Sequence, residues 1–210
     1  EARIAAAILN GLAAGWPAEK TPRLTDQFES DLGVVMKRLP VASQGIMVKL
    51  ARVWGSTQFE AYAKQLAQSL LAEIDNKNLA ATKRIEAAEK LVELRSLDVE
   101  VVGDLLRRVS PQTLPEVAIG IIRAIGASEA AASGEILVAR FPSLTPQTRI
   151  AGVSVLLSRP AVTVALLKGI DRGTIQFAEL TLDQRQALAA HPNADIRRHA
   201  RRLLNRGGAL

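Results

Sequence analysis

The sequence predicts an all-α chain of 210 residues, folded as a stack of short helical hairpins. Three observations lead there. Hydrophobic residues make up 48% of the chain but aromatics only 3%. Such a core must be built from Leu, Ile, Val and Ala. Ala is the strongest helix former and lets helix axes approach, whereas strands favour β-branched and aromatic side chains. Apolar positions also recur at spacings of three and four along the whole chain. Finally, from residue 79 onward, units of about 30 to 35 residues repeat, each a helical pair punctuated by Pro or Gly. One hairpin cannot bury its apolar face, but stacked neighbours can.

The elements follow in order. A first Ala/Ile/Leu helix covers 2–14 and stops at Gly15-Trp16-Pro17. Thr25 caps a helix over 26–39, with Phe28, Leu32, Val35, Met36 and Leu39 on one face. Pro40 interrupts, and Ser43 caps a helix over 44–54 in which Ile46, Leu50 and Val53 repeat. Gly55-Ser56 breaks it. The longest helix covers 58–75, with a stripe of Phe59, Tyr62, Leu66, Leu70 and Ile74. Residues 1–78 thus form the N-terminal helical part, and 79–210 the hairpin repeats, in one continuous array.

The repeats begin with a helix over 80–94, with Ile85, Ala88, Leu91 and Val92 inward, and a partner capped by Asp98. Helices over 113–125 and 129–141 form the next pair. Thr145-Pro146 opens another, since Thr caps well and Pro suits a helix's first turn. That helix runs to Leu157, Arg159-Pro160 ends it, and its partner covers 162–170. Residues 175–177 are a doubtful segment, readable as an extended connector. Thr181 or Leu182 starts the last pair, His191-Pro192 breaks it, and Asn193 caps a final helix over 194–204.

Composition excludes several chemistries. There is no Cys, which rules out disulfides, Cys-ligated zinc, iron–sulfur clusters and thiol nucleophiles. The most apolar stretch, 114–125, is short and interrupted by Glu116 and Arg123, far from the ~20 residues of a membrane span. The chain opens on Glu1 rather than Met and lacks the charged and apolar regions of an export signal. It therefore reads as an excised piece or processed fragment, a reading that leaves room for a lost targeting signal. Net charge is +6. From residue 185 to the end there are six Arg against one acid, Asp195, net +5, while the remaining 21 basic and 20 acidic side chains net +1. Basicity belongs to one end.

No catalytic or metal constellation emerges. His191 and His199 are the only histidines, eight apart across a Pro break, without a carboxylate that completes a ligand set. Glu86, Glu89 and Glu93 share one helix with Lys90 and read as a solvated face supported by i,i+4 pairing rather than an acid/base pair. There is no Gly-x-Ser-x-Gly elbow and no Gly-rich phosphate loop. Trp16 and Trp54 each lie at a helix end, as plugs over the apolar stack or as ligand platforms, the plug being preferred. In the last helix Ile196, Ala200, Leu203 and Leu204 form the inward stripe, and Arg197, Arg198, Arg201 and Arg202 cover the outer faces. These four arginines are the candidate contact surface. Such a row can bind phosphates, but no aromatics interleave for base stacking, so a solvated or subunit-contact face ranks ahead of nucleic acid.

The segment LTLDQRQALAAHPNADIRRHARRLL, 180–204, resembles the end of a HEAT-like repeat. The resemblance gives Asn193 or Asp195 the cap and Arg197 the reach toward neighbouring turns. Together with ILNGLAAGWP (8–17), MKRLP (36–40), LARVWGS (50–56) and LTPQTRIAGVSVLLSRP (144–160), in that order, nearly the whole chain resembles the helical region of planctomycete-type membrane-bound dehydrogenases, also called haem-binding CxxCH proteins. That implies a HEAT/armadillo-like α-α superhelix between a β-propeller dehydrogenase-like domain and a c-type cytochrome domain. It also implies an exported, periplasm-like location, with haem c only in a flanking domain. Without Cys the chain has no CxxCH site of its own, so none of the family's redox residues transfers to it.

The expected function is a non-catalytic scaffold or interdomain spacer that holds an electron donor and acceptor in register, with protein or flanking domains as partners and no cofactor in this chain. The alternative is a HEAT-like nucleic-acid-binding module using the basic C-terminal helix. Some DNA-glycosylase folds are HEAT-like. That enzymatic variant would need a carboxylate facing a basic, aromatic-lined cleft, and the sequence supplies few aromatics and puts its charge at one end.

Overall fold

A computed structural model describes residues 2–17, 20, 22 and 24–206. Among these there are twelve α-helices, two short 3-10 turns and no strand. The chain divides into two compact units, Glu1–Ser96 and Leu97–Leu210.

The first unit holds α1 (Ala2–Gly15), α2 (Asp26–Arg38), α3 (Val41–Val53), α4 (Thr57–Asp75) and α5 (Ala81–Leu94). Helix α3 is central, packing on α1, α4 and α5, and α4 packs along α5. Its core is largely aliphatic, with Met36, Leu50, Ala63, Ile74, Ala88 and Leu91 nearly inaccessible. Gly45 makes the α3–α5 approach feasible, because a Cβ there would collide with the Glu93 carbonyl. Thr25 caps α2, its Oγ1 accepting from the Phe28 amide at 3.3 Å. Ser43 does not cap α3. It is buried inside a helix that begins just after Pro40, and the Gln44 amide already donates to the Pro40 carbonyl at 2.9 Å. The proline reads as a break because it stands at the start of the next helix, where its missing N–H costs nothing. On α2 the predicted face is only partly covered: Met36 is buried, but Phe28 and Val35 are 44% and 46% exposed.

The second unit holds α6 (Val99–Arg107), α7 (Pro115–Ile125), α8 (Ser133–Arg140), α9 (Pro146–Leu156), α10 (Pro160–Asp171), α11 (Leu182–Ala189) and α12 (Ala194–Arg206). Helices α6, α8, α10 and α12 pack successively, each on the next. Helix α7 lies along α9, while α9 pairs with α10 and α11 with α12. Leu105, Ile121, Ile122, Leu137, Phe141, Leu156 and Leu166 fill the interior. Gly134 lets α8 approach α10, since a Cβ would stand 3.0 Å from the Ala165 Cβ and 3.1 Å from the Val162 Cα. The caps at Asp98, Thr145, Thr181 and Asn193 are all present. Pro160 opens α10 rather than closing α9, and the helix expected over 129–141 begins only at Ser133. Residues 175–177 are not a free connector. Ile175 is buried, and Phe177–Glu179 is a 3-10 turn. No helix among the described residues is long and apolar enough to cross a membrane.

Candidate interaction face

Helix α12 carries the four arginines picked out from the sequence. Asn193 starts it, its Oδ1 accepting from the amides of Asp195 at 2.9 Å and Ile196 at 3.2 Å. Ile196, Ala200, Leu203 and Leu204 are buried, as their spacing requires. Arg197, Arg198, Arg201 and Arg202 line one shallow open depression with Ala194 and Asn205.

The four differ in what they hold. Arg197 donates from Nη1 to the carbonyls of His191 at 2.6 Å and Pro192 at 3.2 Å. Arg201 donates from Nε to the Ala189 carbonyl at 3.1 Å. Both satisfy carbonyls left over where α11 ends and the chain turns. Arg198 reaches Asp195 at 3.2 Å, a pair exposed on both sides. Arg202 is exposed and makes no hydrogen bond within the described residues.

The histidines do not converge. His191 Nδ1 accepts from the Asn193 amide at 3.0 Å, while His199 Nε2 meets Asp171 Oδ2 on α10 at 2.5 Å. No group of three or more His, Asp or Glu that would hold a metal occurs among the described residues. On α5, Lys83 rather than Lys90 forms the ion pair with Glu86, at 2.8 Å. A hydrogen bond from Lys83, then its charge, holds the Glu86 carboxyl below its ordinary range, and Glu86 raises Lys83 in return. Trp16 packs edge-on against Trp54, ring centroids 5.1 Å apart, with Phe28 at 6.5 Å from Trp54. Trp54 is buried, and Trp16 Nε1 donates to the Lys20 carbonyl at 2.6 Å.

The structure adds a set of arginines that sequence reasoning passed over. Arg149 and Arg185 stand at the fourth position of α9 and α11, as Arg197 does in α12. Arg149 donates from Nε to the Leu144 carbonyl at 3.1 Å and lies over Phe141, 5.7 Å from the ring centroid. Arg185 repeats this with Leu180 at 3.0 Å and Phe177 at 5.0 Å. The signal was readable: Phe-x-x-Leu-Thr-x-x-x-Arg occurs at 141–149 and again at 177–185. A scan against protein-family models found no match to the chain, and comparisons with curated proteins and with solved structures found none either.

Proposed function

We propose that the chain is a non-catalytic helical-repeat scaffold of the HEAT/armadillo kind, serving as an interdomain spacer in a larger, exported redox protein that joins a dehydrogenase to a c-type cytochrome. The observation that carries the scaffold reading is the recurrence of the Phe-x-x-Leu-Thr-x-x-x-Arg turn, with the same arginine Nε-to-Leu-carbonyl bond and the same contact of arginine on Phe, at 141–149 and 177–185. A turn used twice in this way supports a modular array, in which each hairpin completes its apolar surface against the next. The successive packing of α6, α8, α10 and α12 supports it too. The redox setting and the periplasm-like location rest on the sequence resemblance, and haem c would belong to a flanking domain.

The test is cross-linking mass spectrometry on the protein captured from its own cells. Cross-links from this chain to c-type cytochrome and dehydrogenase segments are expected. Their absence, with cross-links to unrelated polypeptides instead, sinks the redox setting.

A second reading, a nucleic-acid-binding module, is favoured by one observation: four arginines line a single depression on α12. Binding of a fluorescent DNA duplex that weakens steeply between low salt and roughly 200 mM would support it, because counterion release predicts that slope.

A further inference from the structure

We infer that the outer face of α12 is a docking surface for an acidic protein segment that presents two carboxylates one helical turn apart. The inference rests on the scaffold reading and names the partner chemistry of its basic end. Arg197 and Arg201 are held in place by the carbonyls of His191, Pro192 and Ala189. They contribute fixed positive potential. Arg198 and Arg202, one turn apart, provide the forks that remain to engage a partner. Arg202 has no hydrogen-bond partner within the described residues, and Arg198 reaches only Asp195, whose side chain is 88% exposed. A rim pair of that kind is weak, and an incoming carboxylate displaces it readily.

Geometry and charge select the occupant. Residues four apart on a helix have Cβ atoms about 5–6 Å apart, so Arg198 and Arg202 match carboxylates at i and i+4 on a facing helix. A guanidinium takes a carboxylate through two parallel hydrogen bonds. Asn205, in the same depression, adds a side-chain amide. Nucleic acid fits less well. No aromatic residue lines the depression, so nothing there stacks on bases.

The test titrates the whole chain into a fluorescein-labelled helical peptide carrying Glu at i and i+4 along one face. The same peptide with Gln, and a labelled DNA duplex, are run beside it at low salt and at roughly 200 mM. The Glu peptide is expected to bind about tenfold more tightly than either control, and Arg198→Gln/Arg202→Gln is expected to lose about that factor with an unchanged circular dichroism spectrum. Wild-type affinity in that double variant, or a duplex bound as tightly as the Glu peptide, overturns the inference. Failure of the peptide while cross-links to redox segments persist removes the docking face and leaves the scaffold standing. Binding through Arg198 and Arg202 without such cross-links removes the redox setting and leaves the face.

Discussion

The guanidinium of Arg84, buried within α5, donates its Nε–H to the carbonyl of Ile74 at 2.7 Å. Ile74 belongs to the last turn of α4, whose carbonyls have no partner inside their own helix. One charged side chain therefore finishes α4 from within α5. Replacing it with Met keeps the packing and strands the carbonyl. Arg84→Met is expected to destabilise the first unit by about 2–3 kcal/mol, the range for losing a buried hydrogen bond to a charged group. Urea unfolding followed by tryptophan fluorescence reads this directly, because both tryptophans lie in that unit. An unchanged midpoint would show that the bond contributes nothing net.

Gly134 offers a steric test in the second unit. Its missing Cβ leaves room for Ala165 and Val162 of α10 at contact distance. Gly134→Val should force the α8–α10 pair apart at a cost of about 1–3 kcal/mol, the usual range for overpacking. Gly134→Ala should fall at the low end, since helix propensity offsets part of the strain. Circular dichroism in a urea series would separate the two, and a stabilised Val variant would contradict the tight approach.

The cap of α11 is reciprocal. Thr181 Oγ1 accepts from the Gln184 amide at 3.3 Å, and Gln184 Oε1 accepts from the Thr181 amide at 2.9 Å. Thr181→Ala is expected to cost about 1 kcal/mol, and Thr181→Ser much less, because the hydroxyl is what caps. Hydrogen exchange at the Gln184 amide should quicken in the Ala variant and stay slow in the Ser variant.

The Lys83–Glu86 pair gives a pH prediction with a definite sign. Glu86 is held below the ordinary glutamate range chiefly by a hydrogen bond from Lys83, so the pair's contribution is full above that range and is lost as pH falls through the lowered midpoint. Lys83 is raised by the same bond, so its contribution is full below the ordinary lysine range and is lost as pH rises through the raised midpoint. Both side chains face solvent, so the readout is NMR titration rather than stability. Lys83→Gln should return the Glu86 midpoint to the ordinary range, and molar salt should do much the same by screening. A Glu86 midpoint indifferent to both would contradict the pairing.

Local chemistry was the most legible part of this fold. Thr25, Asp98, Thr145, Thr181 and Asn193 all cap helices where a short polar side chain precedes an apolar period. Pro40 and Pro160 look like breaks in the sequence but stand at helix starts, because the same residue that cannot sit inside a helix sits well at its beginning. On α2 the spacing groups the apolar residues on one side, yet Met36 is buried while Phe28 and Val35 are exposed: period fixes which residues point together, not whether another element covers them. At the basic end, the inward stripe of α12 follows from spacing alone. The division of its arginines does not, because reaching the His191 and Ala189 carbonyls depends on where the preceding turn leads. Arg149 and Arg185 do not stand out in the sequence, because arginine on a helix ordinarily reads as solvated surface and only the matched Phe and Leu-Thr spacing distinguishes them.

In the Phe141–Arg149 and Phe177–Arg185 turns the arginine-to-carbonyl bond and the ring contact each close within nine residues of chain, while Arg149 Nη1 also reaches Glu179 of the later turn at 3.2 Å. Loops that short close in tens of nanoseconds, roughly, and cost little entropy compared with long-range pairings. The local bonds of each turn can therefore form before its neighbours are made, and the Arg149–Glu179 pair follows once the later turn is in place. Low contact order of this kind favours rapid folding from several starting points along the second unit.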